Sequence, residues 1–143
     1  MYTLINEWNF DIISGNHERI FLEYLNASEN RREEISNKYG NCFSHYQNVF
    51  SLQEIEEIRK MQDQKLVKLD GLAFLLCHGA TSSKDQYIYP TTELDVLREN
   101  DLPNIDFIFN GHTHYPMVYC GKHSLFINVG SVGQSRTVGG VAN

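Results

Sequence analysis

The chain has 143 residues, the length of one ordinary domain, of which 41% are hydrophobic and 21% charged. This composition excludes a chain that is disordered as a whole. The apolar runs are far shorter than a membrane helix requires, and the N-terminus lacks the basic and apolar regions of a secretory signal. The net charge of −6 argues against a broad nucleic-acid-binding face, which needs clustered Lys and Arg. We therefore expect a folded cytoplasmic domain that binds neither membranes nor nucleic acid.

The first half of the chain is predicted to be largely helical. Residues 10–13 have the pattern of a short strand, and Gly15-Asn16-His17-Glu18 turns out of it into a helix over about residues 18–25. A charged helix over about residues 29–39 is stopped by Gly40. A third helix begins at the capping box formed by Ser51 and Glu54. Its predicted inward face consists of Leu52, Ile55, Ile58 and Met61.

The second half is predicted to be mainly strands. Residues 66–69 and 72–77 flank Asp70-Gly71, a strong signal for a two-residue hairpin turn, and the second of these strands ends at His78. Residues 105–109 form a buried strand, and residues 118–120 and 124–129 pair across Gly121-Lys122. Between these strands we expect a loop over residues 80–90 that lies over the site, and then a helix to about residue 100. That helix is predicted to be capped by Thr91 or Thr92, with Leu94 and Leu97 facing inward.

Cys42, Cys77 and Cys120 are odd in number and widely spaced. Free thiols in a reducing compartment therefore fit better than a disulfide framework. Cys77 immediately precedes His78 and has the chemistry of a soft zinc ligand. However, it also ends an apolar run, where a free cysteine usually behaves as a small buried hydrophobic residue. We favour the structural interpretation.

Four short motifs follow predicted apolar segments in order along the chain. They are Gly15-Asn16-His17-Glu18, His78-Gly79, Gly111-His112-Thr113-His114 and the glycine-containing segment 128–133. Imidazole and amide groups at strand ends can converge on one point, as a metal site or a catalytic pocket requires. Each motif alone is a weak signal, since Asn before a helix is often only a cap and a lone His is often structural. The four motifs in this order are a stronger indication of a metal site or a catalytic pocket than any one of them.

In this order the motifs resemble those of the calcineurin-like metallophosphoesterase family, over about residues 11–134. Tyr115-Pro116 and the later Gly-Ser-Val-Gly are most similar to the bacterial branch of small phosphodiesterases and phosphatases. The resemblance implies an α/β fold that is part of an α/β/β/α metallophosphoesterase sandwich. It also implies a hydrolase that cleaves a phosphomonoester or phosphodiester at two metal ions, with a small phosphate ester as its substrate. Two cations neutralise the phosphate oxygens and activate water.

The resemblance further implies a role for each of five residues. Asn16, His78 and His112 would bind the second metal, and His114 the first. His17 would be a catalytic group that contacts the scissile phosphate, free to do so because adjacent side chains diverge in an extended turn. Imidazole and amide ligands suit Mn, Fe, Co, Ni or Zn better than Mg or Ca.

Three neighbours of the paired histidines are expected to support them. Gly111 would permit the backbone turn that brings His112 and His114 to neighbouring ions. Thr113 and Asn110 are candidates for fixing the orientation of the imidazoles.

The family's first two motifs, Asp-x-His and Gly-Asp-x-x-Asp, occur nowhere in the sequence. We therefore expect residues 1–143 to form a single partial domain that lacks the N-terminal βαβ portion, holds at most one metal ion and is inactive alone. One alternative is a non-catalytic truncated relative that acts as a ligand- or partner-binding module. A weaker alternative is a mononuclear zinc hydrolase that uses His78, His112 and His114, with or without Cys77.

Overall fold

The computed structural model describes residues 10–136. These residues form two compact units, each considered by itself. Residues 10–13 and 63–136 belong to the first, called the sheet unit, and Ser14–Gln62 form the second, called the helical unit. Within the described range no helix is long and apolar enough to cross a membrane.

The helical unit consists of four helices around an aromatic and aliphatic core. In chain order they are α1 (Asn16–Asn26), α2 (Glu29–Tyr39), α3 (Cys42–Val49) and α4 (Leu52–Lys60). The prediction of α2 is confirmed, and Gly40 ends this helix with a positive φ of 75°. The capping box of α4 is also confirmed, since the Ser51 hydroxyl accepts the Glu54 N–H and the Glu54 carboxylate accepts the Ser51 N–H. The buried core residues are Phe21, Tyr24, Ile35, Phe43, Ile55 and Ile58.

Two predictions for this half of the chain are wrong and one helix was missed. Residues 10–13 are not a strand, because none of the described strands pairs with them. Leu52 is 84% exposed although Ile55 and Ile58 are buried. A helical side chain leans toward the turn before it. Leu52 is the first residue of α4, so its side chain extends past the start of the helix and away from the core. The helix that the sequence did not reveal is α3, a single short amphipathic segment.

The sheet unit is built on one five-stranded mixed sheet. Its strands are β1 (Gln64–Leu69), β2 (Leu72–Cys77), β3 (Phe107–Asn110), β4 (Met117–Cys120) and β5 (Leu125–Asn128). The spatial order is β1-β2-β3-β5-β4, with β2, β3 and β5 parallel and the outer strands antiparallel to their neighbours. A short helix α5 (Leu94–Glu99) lies between β2 and β3 in sequence. The predicted mixed α/β class is confirmed.

The strand directions bring several motifs to one edge of this sheet. Because β2, β3 and β5 are parallel, their carboxyl ends lie at the same edge, which is where open α/β sheets bind ligands. His78 follows β2, and His112 lies just after β3. Strand β4 runs the opposite way, so it begins at this edge, and His114 lies shortly before it.

The core of the sheet unit lies on one face of the sheet. Its buried hydrophobic residues are Cys77, Ala80, Ile88, Leu97, Ile108 and Phe126. Leu97 thus faces inward as predicted, but Leu94 is 58% exposed, because α5 begins only at that residue. Neither predicted threonine caps α5. Glu93 is the N-cap, and the Thr92 hydroxyl instead accepts the Tyr89 N–H in the preceding turn.

Both predicted hairpins form, with different turns. Asp70 and Gly71 have φ values of 51° and 83°, as a two-residue hairpin turn with positive φ at both positions requires. The β4–β5 turn spans residues 121–124, one residue more than the predicted strands leave between them, and the Gly121 N–H donates to the Ser124 carbonyl at its base. The carboxylate of Asp101 fills this turn and accepts the N–H groups of Lys122, His123 and Ser124 at 2.6–3.2 Å.

These contacts predict that Asp101 makes the free energy of unfolding depend on pH under acidic conditions. Burial alone would raise the pKa of the Asp101 carboxyl, but hydrogen bonds from Ser124, His123 and Lys122 outweigh it, so the pKa lies below its ordinary value of 3.8. Its stabilising contribution is therefore complete above that value and is lost as the pH falls through the lower folded-state pKa. Urea unfolding of the parent and Asp101→Asn should differ at neutral pH and converge in acid. A difference that stays constant down to acid pH would contradict this account.

Candidate metal centre

His78 and His112 form the centre of the candidate site. Their ring centroids lie 4.6 Å apart, with the ring planes inclined at 58°. The backbone joins the two segments as well, because the Gly111 N–H donates to the His78 carbonyl at 3.0 Å. Two adjacent parallel strands, β2 and β3, therefore deliver two imidazoles to one place, as predicted from their positions after apolar strands.

The backbone around His112 and His114 is strained. Both residues have positive φ, 63° and 62°, a conformation that non-glycine residues adopt uncommonly. The Thr113 N–H donates to the Gly111 carbonyl at 2.7 Å across His112, which fits a classic γ-turn, a rare and strained geometry. Strain of this kind clusters at functional sites. The role expected for Gly111 is wrong, since its φ is not positive and a Cβ there would meet nothing within 4 Å.

Buried polar side chains hold the strained segment in place. Asn128 donates from Nδ2 to the Gly111 carbonyl at 2.7 Å and to the Thr113 hydroxyl at 2.9 Å. Asn110, its register neighbour on β3, donates to the Gly79 carbonyl at 3.2 Å. Thr113 and Asn110 thus hold the backbone beside the histidines, and none of these bonds is made to an imidazole. Asn128 belongs to the fourth sequence motif, but its supporting role was not predicted, although it ends β5 just as Asn110 ends β3.

His114 is oriented by a separate contact. Its Nδ1 lies 3.1 Å from the Gln134 carbonyl oxygen, and the Arg136 N–H donates to the His114 carbonyl at 3.2 Å. A carbonyl oxygen only accepts, so in the neutral form of the ring this contact selects the tautomer with the proton on Nδ1 and the lone pair on Nε2. Metal-bound histidines are typically fixed in this way through their second nitrogen.

The loop over residues 80–90 reaches the histidine pair. Tyr87 stacks on His112 with ring centroids 3.9 Å apart and planes inclined at 24°. Gly79 permits the loop to pack closely, because a Cβ there would lie 2.6 Å from the Lys84 carbonyl oxygen and 2.8 Å from that of Gln86. The loop therefore contacts the site.

Asn16 and His17 lie in the helical unit, in the first turn of α1. They were expected in an extended turn, but Gly15 already caps the helix, and its N–H donates to the Glu18 carboxylate at 2.8 Å. His17 is exposed, and its ring lies 5.8 Å from that of Tyr39 and 6.0 Å from that of Phe43. The approach of Asn16 and His17 to the histidine pair stays a prediction.

The superfamily of this chain follows from its comparison with known families. Residues 1–141 match the calcineurin-like phosphoesterase superfamily domain, almost the whole chain. The chain belongs to this superfamily. No curated protein matches it.

Two solved structures are similar to this phosphoesterase chain. A hypothetical protein from Pyrococcus horikoshii has a TM-score of 0.66 at 13% identity and shows the same fold. The match covers 92% of this chain and 55% of that protein, so the chain spans about half of its length. A conserved uncharacterised protein from Streptococcus pneumoniae, described as a predicted phosphoesterase, has 20% identity and a TM-score of 0.40, covering 55% of this chain and 42% of that one. A score that low supports no statement about fold.

The residues of this phosphoesterase chain fit only part of the metal centre that the family implies. In the range 10–136 no three His, Cys, Asp or Glu side chains form a group that could hold a metal ion. His78 and His112 fit two ligands of one ion, whereas a two-metal centre also needs a bridging carboxylate, and the family motif that supplies it does not occur in the sequence. His78 and His112 therefore form an incomplete site for one metal ion.

Cys77 does not extend this ligand set. Its side chain is buried, and its Sγ–H donates to the Gly79 carbonyl at 3.5 Å. Burial raises the pKa of the Cys77 thiol to about 12, which favours the neutral thiol over the thiolate that binds metals. The structure therefore supports the structural interpretation of Cys77 and gives no support to a mononuclear zinc site that uses it.

Proposed function

We propose that this chain supplies part of a two-metal site that hydrolyses a phosphomonoester or phosphodiester. Membership of the calcineurin-like phosphoesterase superfamily supports phosphoesterase activity in general. The observation that carries the finer proposal is the approach of His78 and His112 to 4.6 Å between ring centroids at the carboxyl edge of the sheet. Two imidazoles so close on a strained, hydrogen-bonded backbone are suited to binding one cation.

The proposed roles follow the family pattern. His78 and His112, together with Asn16, bind the second metal, and His114 binds the first through Nε2. The contact between His114 Nδ1 and the Gln134 carbonyl supports this choice of nitrogen. His17 contacts the phosphate instead of a metal. Its exposed ring on the first turn of α1 supports a role in which it meets a substrate.

Transition metals are the proposed cofactors, namely two ions among Mn, Fe, Co, Ni and Zn, because imidazole and amide ligands suit them. The carboxylates of Asp-x-His and Gly-Asp-x-x-Asp must come from polypeptide outside these 143 residues, since neither motif occurs in the sequence. Residues 1–143 alone therefore hold at most one ion. The cytoplasm is the proposed location, supported by free Cys42, Cys77 and Cys120.

A non-catalytic role is the second candidate. In the described range no cluster of three His, Cys, Asp or Glu side chains is present, which favours a relative that binds a ligand or a partner without hydrolysis. Both candidates use the same histidine pair. The catalytic role predicts that adding Asp-x-His and Gly-Asp-x-x-Asp gives phosphoesterase activity, and the non-catalytic role predicts that it does not.

The test compares residues 1–143 with a longer version in which Asp-x-His and Gly-Asp-x-x-Asp precede residue 1. Hydrolysis of aryl phosphate monoesters and diesters is measured with each metal, together with bound metal per chain. We expect two ions and metal-dependent turnover for the longer version, and at most one ion with no turnover for residues 1–143. Turnover by residues 1–143 at the rate of the longer version would point to a mononuclear mechanism. Absence of turnover in both, with the longer version folded and metal-loaded, would favour the non-catalytic role.

A further inference from the structure

Tyr87 is placed unusually for a loop residue. It stacks on His112 at 3.9 Å, yet it remains 51% exposed. Its ring is also nearly parallel to that of Tyr89, at 5° and 5.7 Å between centroids, and Tyr89 meets Tyr115 edge to face at 5.9 Å. Beside the histidine pair there is thus a partly open aromatic surface, formed by Tyr87 and Tyr89 and called here the tyrosine platform.

The loop that carries the tyrosine platform is anchored on both sides of Tyr87. Ile88, the next residue, is completely buried in the core of the sheet unit. Upstream, the Thr81 N–H and hydroxyl both donate to the buried Asn100 side chain, at 2.7 and 2.9 Å. Downstream, the Tyr89 N–H donates to the Thr92 hydroxyl at 2.8 Å. A ring on such a backbone is already ordered, so a ligand that stacks on it loses little affinity to loop ordering.

Exposed aromatic rings on an ordered backbone are suited to stacking on flat π-systems. Stacking of a nucleic-acid base on an aromatic side chain changes affinity by about 5- to 150-fold and tolerates any base. A phosphate bound to a metal ion at the histidine pair would place the group esterified to it within reach of Tyr87, because Tyr87 stacks on His112. A saturated sugar or alkyl group would gain much less from that contact.

We propose that the tyrosine platform makes the site selective for phosphate esters that carry a planar aromatic group, a nucleobase or an aryl ring. The proposal rests on the proposed function, since it takes phosphate to bind at the metal ion that the histidine pair holds. Tyr87 is then a specificity-determining residue that contacts the organic part of the substrate. Tyr89 supports its orientation and extends the stacking surface.

The test measures binding of four probes to residues 1–143 loaded with Mn²⁺ or Zn²⁺. The probes are adenosine 5′-monophosphate, phenyl phosphate, ribose 5-phosphate and methyl phosphate, with affinities taken from calorimetry or NMR titration. We expect at least one aromatic probe to bind about 5- to 150-fold more tightly than its non-aromatic counterpart. If both aromatic probes bind more tightly than their counterparts, the site accepts any planar ring. If only adenosine 5′-monophosphate or only phenyl phosphate does, the site selects a nucleobase or an aryl group, respectively.

Two matched substitutions separate stacking from a merely structural role of Tyr87. Tyr87→Phe should keep the aromatic preference, and Tyr87→Leu, which is apolar but not planar, should bring the ratio of aromatic to non-aromatic affinity to about one. Equal affinity for aromatic and non-aromatic probes, or a preference that survives in Tyr87→Leu, overturns the inference. Lack of binding of all four probes overturns it too.

Failure of the proposed function would look different from failure of this inference. The proposed function is judged by hydrolysis in the longer version that carries all four motifs. The inference is judged by the ratio of affinities in residues 1–143 and by its dependence on residue 87. If the longer version hydrolyses phosphate esters but residues 1–143 show no aromatic preference, only the inference is wrong. If the aromatic preference depends on Tyr87 but the longer version shows no hydrolysis, only the catalytic function is wrong.

Discussion

Replacing His17 by alanine is expected to slow hydrolysis of an alkyl phosphate ester by about 10²–10⁴-fold in the version of the protein that carries all four motifs. A positioned histidine that donates a proton to the leaving oxygen matters most when that oxygen leaves poorly. Hydrolysis of an activated aryl ester should therefore fall much less. His17 is exposed at the start of α1, and its ring lies 5.8 Å from that of Tyr39 and 6.0 Å from that of Phe43.

His45 provides the matched control for this substitution. It is also an exposed histidine of the helical unit, and its ring lies 6.3 Å from that of Tyr46. His45→Ala should leave both rates unchanged. Bound metal per chain should be the same in the parent and in both variants. If His17→Ala loses bound metal, His17 is a metal ligand. If its rates of alkyl and aryl ester hydrolysis fall by the same factor, His17 does not act by donating a proton to the leaving oxygen.

Removal of either member of the histidine pair should weaken metal binding by residues 1–143 more than about 100-fold. The lower bound follows because even groups that only orient a metal ligand are worth 10–100-fold in affinity. His78→Ala is the simple truncation. At position 112 glycine is the better replacement, because the φ of 63° there suits glycine, so the imidazole is removed without adding backbone strain.

His123→Ala is the control for the pair. His123 lies in the β4–β5 turn, at the opposite edge of the sheet, and only its backbone N–H is engaged by Asp101. Its removal should leave affinity for Zn²⁺ or Co²⁺ unchanged in a competition titration. If His78→Ala and His112→Gly both bind these ions as tightly as the parent while remaining folded, the pair is not a metal site.

Features that depend on neighbouring residues in the sequence were largely predictable. The end of α2 at Gly40, the capping box of Ser51 and Glu54, and the hairpin turn at Asp70-Gly71 are all set by local backbone chemistry. The meeting of His78 and His112 was also predictable, because both follow apolar strands that run parallel in the sheet.

Features that depend on packing were not predictable in the same way. Leu52 and Leu94 fit helical spacing, but each begins its helix and faces solvent, which only the tertiary arrangement reveals. The stacking of Tyr87 on His112 joins two residues separated by a strand and a helix, and it depends on how the loop is anchored. Likewise, Asn128 supports the histidine segment through contacts made across the sheet.

The central claim is that His78 and His112 bind the same metal ion. Anomalous X-ray diffraction from crystals of residues 1–143 soaked in Zn²⁺ or Co²⁺ tests it directly. We expect one strong anomalous peak at about 2.0–2.1 Å from a ring nitrogen of each histidine, the usual Zn–N distance. An ion bound to only one of them, or a peak elsewhere with the pair unoccupied at saturating metal, would contradict the claim.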